Sequence, residues 1–229
     1  TTDINTLSLH DALPIYACIL FAMYLFNAIL SIFELRSYSN KNNYVNYKSM
    51  LAFEKLPSIS IIAPAYNEEK TIIDNIKCLI SLQYQNFEII IVNDGSTDST
   101  LSKVIEYFDL VKVKRAYTLE IDCAPIRSIY QSNNPAYNHL ILIDKENGGK
   151  SDALNAGINI SQNELFLAMD VDCILESDAL LKMAKPFIDD NKNEVIASGG
   201  VLRIANSSEV THGRISKINY PRNFWAKLQ

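Results

Sequence analysis

Two aspartates, Asp170 and Asp172, carry the clearest chemical signal in the sequence. They close an apolar run, residues 165–169, and Ile174 and Leu175 follow almost at once. Residues i and i+2 of an extended chain point the same way, and two carboxylates on one side repel each other unless a positive charge lies between them. A hard divalent cation, Mg²⁺ or Mn²⁺, suits this Asp-x-Asp pair. Solvated turn carboxylates or helix caps are the alternative interpretation.

Each of four apolar runs is followed by a polar segment rich in acids or amides. The segments are PAYNEE after residues 59–63, NDGSTDST after 88–92, DKENGGKSDALNAG after 140–143, and DVD after 164–169. In an open parallel sheet, ligands bind outside the carboxyl ends of the strands. If the four runs are strands of one such sheet, their polar segments share one edge and form one site.

Two of these segments offer groups that could recognise a nucleoside. Tyr66 can stack on a base, and Glu68 or Asn67 can bond a ribose or a base, although a helix N-terminus explains the same acids and amide. Asp94 comes soon after a strand, and its carboxylate could accept a hydrogen bond from the ring N–H of a uracil. Helix capping accounts for residues 96–98 but leaves Asp94 unexplained.

A third segment, GGKSDALNAG, suits a diphosphate. Gly148 and Gly149 would let the backbone come close to a ligand, and Lys150 would supply a point charge near a helix start. An ordinary helix entry with a solvated lysine is the alternative. A phosphate loop of nucleoside triphosphatases would need glycine where Asp144 stands, so that enzyme class is disfavoured.

The elements that position these groups alternate in type. Strand-like runs at 59–63, 88–92, 140–143, 164–169 and 195–204 are separated by helical stripes, and residues 115–138 form an insertion. The helical segments are 70–82, 98–110, 149–160 and 177–189. This pattern predicts an α/β fold with a doubly wound, mainly parallel sheet, because apolar strands need cover on both faces.

The composition bounds the class of protein. The 229 residues are 48% hydrophobic and 21% charged, which is typical of a globular chain. The net charge of −5 disfavours a nucleic-acid partner. Four scattered cysteines without a CxxC pair indicate reduced thiols of a cytosolic domain rather than disulfides or a zinc site.

The N-terminal region predicts a membrane anchor. Residues 15–33 contain no charge and are just long enough for a transmembrane helix, with a buried core helix as the alternative. Lysines and an arginine follow this run, so the positive-inside rule places the domain on the cytoplasmic side of the plasma membrane. Residues 1–14 are interpreted as a doubtful segment of artefactual origin, 34–56 as a juxtamembrane linker, and 57–229 as the α/β domain, truncated at its C-terminus.

Together, the motifs resemble those of family 2 glycosyltransferases with the GT-A (Rossmann-like) fold, over residues 57–203. The matching pieces are ISIIAPAYNEE, IIIVNDGSTDST, KENGGKSDALNAGI and LAMDVDCIL. With a preceding span, the chain is most similar to the membrane branch that includes hyaluronan, chitin, cellulose and poly-N-acetylglucosamine synthases. The resemblance implies that Tyr66, Glu68 and Asp94 hold the uridine, Lys150 faces the diphosphate, Asp170 lies near ribose and metal, and Asp172 binds the metal.

The resemblance predicts a metal-dependent transfer of a sugar from a UDP-sugar to a saccharide acceptor, with inversion. The family's later acidic base motif and the Gln-x-x-Arg-Trp motif of its polymerising branch do not occur before Gln229. We therefore expect an N-terminal fragment that is inactive alone, with its base beyond Gln229. A metal-dependent nucleotidyltransferase and a non-catalytic, membrane-tethered sugar-nucleotide-binding subunit are the alternative functions.

Overall fold

The computed structural model describes residues 9–42, 56–190, 192, 194–200, 209–211 and 214–217, with side chains described over 13–36 and within 56–200. The chain divides into two compact units, Thr1–Asn46 and Tyr47–Gln229.

The first unit contains one long helix, α1, which spans Leu9–Asn42. The predicted span at 15–33 lies inside this helix. The helix also extends into the segments predicted as separate, 1–14 and 34–56. The part Leu13–Arg36 is long and apolar enough to cross a membrane, and among the described residues none buries its side chains. A signal sequence near an N-terminus has the same features, so the membrane span stays a prediction.

The second unit alternates strands and helices as predicted. Its elements are β1 (Ile59–Ala65), α2 (Ile72–Ile80), β2 (Phe87–Asp94), α3 (Thr100–Tyr107), β3 (Leu110–Val113), β4 (Ile126–Ser132), a 3₁₀ turn (Pro135–Tyr137), β5 (Leu140–Lys145), α4 (Lys150–Ile160), β6 (Leu165–Ala168), α5 (Ala179–Asp189), β7 (Glu209–Thr211) and β8 (Arg214–Lys217). Strands β1, β2, β5 and β6 and helices α2 to α5 lie where the sequence predicts them.

Six strands form one mixed sheet in the order β3-β4-β5-β2-β1-β6. The four strands predicted from the apolar runs are mutually parallel, with β2 between β1 and β5, and β6 beside β1. Strands β3 and β4 extend the sheet in antiparallel fashion on the β5 side. The predicted α/β fold with a mainly parallel sheet is therefore confirmed. Strands β7 and β8 pair separately.

Both faces of the central strands are buried. Neighbouring residues of β1, Ile61 and Ile62, point to opposite faces, and both are 0% exposed. On one face, α4 packs through Ala153, Ala156 and Ile160 against a cluster that includes Ile62. Small alanine side chains let the helix approach the sheet closely. The apolar runs in the sequence are the consequence of this double cover.

Two sequence expectations differ from the structure. The stretch 115–138, which the sequence predicts to be an insertion between the regular elements, supplies β4 and the 3₁₀ turn. The strand predicted at 195–204 is wrong over residues 195–200, which have no regular structure, and its remainder lies outside the described residues. Strand β4 was not predicted because polar residues interrupt its apolar pattern. Its pairing with β5 provides the stabilisation that its own residues do not signal.

Candidate functional site

The polar segments at the carboxyl ends of β1, β2, β5 and β6 meet around one cavity of about 340 Å³. All six residues that the sequence singled out lie in its wall: Tyr66, Glu68, Asp94, Lys150, Asp170 and Asp172. Pro64, Ala65, Asn147, Gly149 and Val171 complete the lining. The expected convergence of the segments at one sheet edge therefore occurs, while the individual roles of the six residues stay predictions.

The two aspartates after β6 lie beside the thiol of Cys173, one of the four cysteines that the sequence predicts to be reduced. The ligand atoms of Asp170, Asp172 and Cys173 all lie within 4.8 Å of one another. The backbone N–H of Cys173 donates to the carbonyl of Asp170, which closes a tight turn. Burial, followed by the charges of Asp172 and Asp170, raises the pKa of the Cys173 thiol, so the thiol stays protonated at neutral pH.

This cluster fits a hard divalent cation. The two carboxylates are exposed and supply oxygen ligands, which Mg²⁺ and Mn²⁺ prefer, and both ions keep several waters besides a few protein ligands. A protonated thiol is a poor ligand for such ions, so Asp170 and Asp172 would hold the cation.

Lys150 faces this pair of aspartates from the first position of α4. Its ammonium forms an ion pair with Asp170, and both side chains are more than half exposed. The hydrogen bond and the charge of Asp170 raise the pKa of Lys150 above its ordinary value, so the ammonium keeps its charge at neutral pH. An exposed, charged and flexible donor therefore stands at the start of a helix, where the helix dipole also favours anions.

Asp94 is the last residue of β2 and is only 3% exposed. Its Oδ1 accepts hydrogen bonds from Lys145 Nζ at 2.7 Å and from the Gly148 N–H at 3.0 Å. Its Oδ2 accepts from the Gly149 N–H at 2.8 Å. A carboxylate offers about four acceptor positions, so these contacts leave about one, on Oδ2, for a ligand.

The backbone N–H groups of the glycine loop between β5 and α4 donate hydrogen bonds to another part of the protein. The N–H groups of Gly148 and Gly149, which sequence reasoning placed next to a diphosphate, donate to Asp94. A Cβ at position 148 would lie 2.4 Å from the carboxyl group of Asp152, so only glycine fits there. The loop therefore presents Lys150 to the cavity, while its two amides hold the end of β2.

The segments after β1 and β2 are joined by hydrogen bonds between backbone N–H groups and side chains. The Asn67 N–H donates to Ser96 Oγ at 3.0 Å, and Asn67 Oδ1 accepts from the Thr97 N–H at 2.9 Å. Asn67 has a φ of 56°, a conformation that asparagine tolerates better than most residues. Its amide oxygen is thus engaged in joining the two loops, which leaves Tyr66 and Glu68 as the side chains of this segment that line the cavity.

Glu68 and Tyr66 differ in their freedom. The Glu68 carboxylate accepts a hydrogen bond from Thr71 Oγ1 at 2.9 Å, and its backbone N–H donates to Thr100 Oγ1 at 2.9 Å. Tyr66 is 51% exposed and lines the cavity, so its side chain is accessible to a ligand. These positions suit a stacking ring beside a fixed carboxylate.

Sequence reasoning missed Lys145, the most buried charged residue of the site region. It lies at the end of β5 opposite Asp94 and is 0% exposed. Its position at the end of an apolar run, next to Asp144, was the available signal, because a lysine there must bury its charge and find carboxylate partners.

The second unit matches a known protein family. The sequence profile of the family described as glycosyl transferase family 2 matches residues 60–118 and 124–226. A poly-beta-1,6-N-acetyl-D-glucosamine synthase of Staphylococcus aureus (strain COL) is 30% identical over 177 residues, which are 77% of this chain and 36% of the relative. The corresponding synthase of Staphylococcus epidermidis is 29% identical over 168 residues, 73% of this chain and 34% of the relative. The chain thus spans about a third of the length of these relatives.

Solved structures show weaker likenesses. The mannosyltransferase PcManGT from Pyrobaculum calidifontis, in complex with GDP-Man and Mn²⁺, is 22% identical over 60% of this chain and 34% of its own, with a TM-score of 0.45. Residues 1–349 of S. aureus TarS, in complex with UDP-GlcNAc, are 25% identical over 58% of this chain and 31% of that chain, with a TM-score of 0.42.

Proposed function

Because the chain belongs to glycosyl transferase family 2, we propose that its second unit binds a UDP-sugar and a divalent cation for transfer of the sugar to a saccharide acceptor. The observation that carries this proposal is the single cavity in which one amine and several carboxylates from four strand ends meet. The relatives named as poly-N-acetylglucosamine synthases support an N-acetylhexosaminyl group as the transferred sugar. The same relatives support a polysaccharide as the acceptor.

We assign the parts of the donor to the parts of the cavity by their chemistry. Tyr66 offers a ring for the uracil, Asp94 offers its remaining acceptor position to the ring N–H, and Glu68 lies within the same wall. Asp170 and Asp172 would hold Mg²⁺ or Mn²⁺, which supplies positive charge against the charge that develops on the leaving diphosphate. We also assign Asp170 to contact with the ribose, as the family resemblance implies.

Lys150 has the second electrostatic role in this proposal. Its ammonium now pairs with Asp170, and it can exchange that partner for a diphosphate oxygen when Asp170 serves as a metal ligand. In the transfer, the bond between the anomeric carbon and the diphosphate oxygen breaks, and the acceptor oxygen bonds to that carbon from the opposite side, with inversion. The acceptor proton passes to a carboxylate base, which we do not assign to a residue. A charge that favours the leaving group accelerates this step.

The experiment that tests the proposal is calorimetry of the full chain in detergent with UDP. We expect binding in Mn²⁺ or Mg²⁺ and loss of most of it with a chelator, because two carboxylates without a cation repel the diphosphate. Asp172→Ala should weaken UDP binding in Mn²⁺ by about tenfold or more, which corresponds to about 1.4 kcal/mol.

The matched control is Asp74→Ala, which removes an aspartate whose side chain is 82% exposed on α2 and does not line the cavity. It should bind UDP as the unaltered chain does. Equal UDP affinity with and without chelator would contradict the metal assignment. Absence of UDP binding under all conditions would contradict the donor assignment.

A further inference from the structure

Lys145 is a buried cation behind the wall of the cavity. It ends β5, pairs in register with Asp94 of β2, and is 0% exposed. It does not line the cavity itself. A lysine is almost never fully buried unless its charge is compensated by partners. Its position therefore has to be explained by what its ammonium holds.

All three protons of the ammonium have an acceptor. Lys145 Nζ donates to Asp94 Oδ1 at 2.7 Å and to the carbonyl of Glu146 at 2.5 Å, and it forms an ion pair with Asp152. Burial lowers the pKa of Lys145, but the hydrogen bonds and charges of Asp152 and Asp94 outweigh burial and raise it above the ordinary value. The group is thus a permanent cation with a single fixed orientation.

This cation joins two elements of the site. Asp152 lies in the first turn of α4, and its Oδ2 accepts from the Ala124 N–H at 2.8 Å, so it is itself held in place. Asp94 ends β2. Lys145 therefore ties the end of β2 to the start of α4. It fixes Oδ1 of Asp94, and the Gly149 N–H fixes Oδ2, so the remaining acceptor position of Oδ2 has one direction.

We propose that Lys145 is a positioning residue for base recognition, which holds the Asp94 carboxylate so that its remaining acceptor position meets the ring N–H of a uracil. This inference rests on the proposed function, because it needs a uridine nucleotide in the cavity. Uracil carries an N–H at the ring position where cytosine carries an acceptor nitrogen. A carboxylate held in this way attracts the first base and repels the second, so Lys145 determines the preference for UDP over CDP.

The test compares UDP and CDP by calorimetry on the full chain in detergent with Mn²⁺. Lys145→Met keeps the length of the side chain and removes its charge. We expect UDP affinity to fall by about 10- to 100-fold, because this is the contribution of one charge-assisted hydrogen bond such as that from the uracil N–H to Asp94. The affinity for CDP should change little. The preference for UDP should collapse, which a general loss of stability would not produce. Lys112→Met, the same change at an exposed position of β3, is the control and should keep the preference.

A second variant guards against misfolding. Lys145→Met leaves the carboxylates of Asp94 and Asp152 facing each other without their shared cation, and removing one partner of a buried pair is costly. Lys145→Met combined with Asp152→Asn removes that repulsion, and asparagine can still accept from the Ala124 N–H. The double variant should fold, as its circular dichroism and thermal melting would show, and should still lack the preference for UDP.

A double-mutant cycle shows whether Lys145 acts through Asp94. Asp94→Ala alone and Asp94→Ala with Lys145→Met should bind UDP equally, because the alanine leaves no side-chain acceptor for Lys145 to orient. Additive losses of UDP affinity in this cycle would overturn the inference about Lys145 but not the proposed function. A folded Lys145 variant that keeps the preference for UDP over CDP would have the same consequence. Failure of both Lys145 variants to fold would also overturn it and assign Lys145 to stability. If the unaltered chain does not bind UDP, the proposed function fails as well.

Discussion

At the residue scale, the site is built from charges that already have partners. Asp94 is paired with a buried lysine and two backbone amides, whereas Asp170 is paired with an exposed lysine. The first pairing is rigid because its members are shielded from water, and the second is exchangeable because both members are solvated. Under the proposed function, recognition of the base and contact with the diphosphate would fall to residues with opposite mobility.

The exchangeable lysine gives a prediction about which part of the nucleotide it contacts. Lys150→Met should weaken binding of UDP in Mn²⁺ by about 10- to 100-fold, as expected for a charged hydrogen-bond donor, and should leave binding of uridine unchanged. Calorimetry with both ligands measures the difference. Lys112→Met serves as the matched control at an exposed lysine outside the cavity. An equal loss for uridine and UDP would place Lys150 near the nucleoside instead.

At the element scale, the two loops that follow β1 and β2 act as one body. Besides the contacts of Asn67, Asp98 Oδ2 accepts from the Glu69 N–H at 3.2 Å, and Asp98 Oδ1 accepts from the N–H and hydroxyl of Thr100 at 2.9 and 2.6 Å. Asp98 therefore accepts hydrogen bonds from the first residue of α3 and also fastens the neighbouring loop to that helix. Tyr66 and Glu68 owe their positions to this connection, although the connecting residues do not touch the cavity.

The Asp98 connection predicts a pH-dependent stability. Burial raises the pKa of Asp98, but its hydrogen bonds from Thr100 and Glu69 outweigh burial and lower it below the ordinary value of 3.8. A lowered pKa in the folded state means that the unfolded chain takes up the proton first, so the contribution is complete above the ordinary pKa and is lost as the pH falls through the lowered one. Asp98→Asn should cost about 1–2 kcal/mol near neutral pH, and the cost should shrink toward about pH 3.

Thermal melting of both chains across this pH range measures that difference. Asp74→Asn, at a side chain that is 82% exposed, is the control and should melt like the unaltered chain near neutral pH. A cost of Asp98→Asn that stays constant with pH, or grows as the pH falls, would contradict the assignment of its carboxylate charge to the loop connection.

The central elements could be predicted because their signals are local. Apolar runs bounded by polar segments predicted β1, β2, β5 and β6. The polar segments predicted residues of the cavity wall. Strand β4 could not be predicted, since its burial depends on pairing with β5, which is a property of the sheet and not of its own residues. Lys145 was missed for a related reason: its ion partners are 51 residues before it and on the following helix.

At the scale of the whole molecule, the chain joins a strongly apolar helix to a family 2 glycosyltransferase unit. The side chains of Leu13–Arg36 are not buried in the part of the chain that the structure describes, and burying an apolar side chain is worth about 1.5–3 kcal/mol. A helix of this length and composition is long enough to cross a bilayer. We propose that α1 anchors the unit to the plasma membrane, with the unit on the cytoplasmic side.

The anchor gives a prediction that separates a membrane span from a removed signal sequence. The full chain should sediment with membranes, resist extraction by alkaline carbonate and keep its full length on a gel, because a span stays attached whereas a signal sequence is cleaved. Leu25→Arg with Ile29→Arg should release it, since each arginine near the centre of a span costs about 2.5–3.5 kcal/mol. Leu119→Arg with Ile121→Arg, the same changes at exposed positions of the second unit, should leave it membrane-bound. A shortened chain in the soluble fraction would instead identify α1 as a signal sequence, and the second unit would then lie outside the cytoplasm, away from the nucleotide-sugar supply that the proposed function requires.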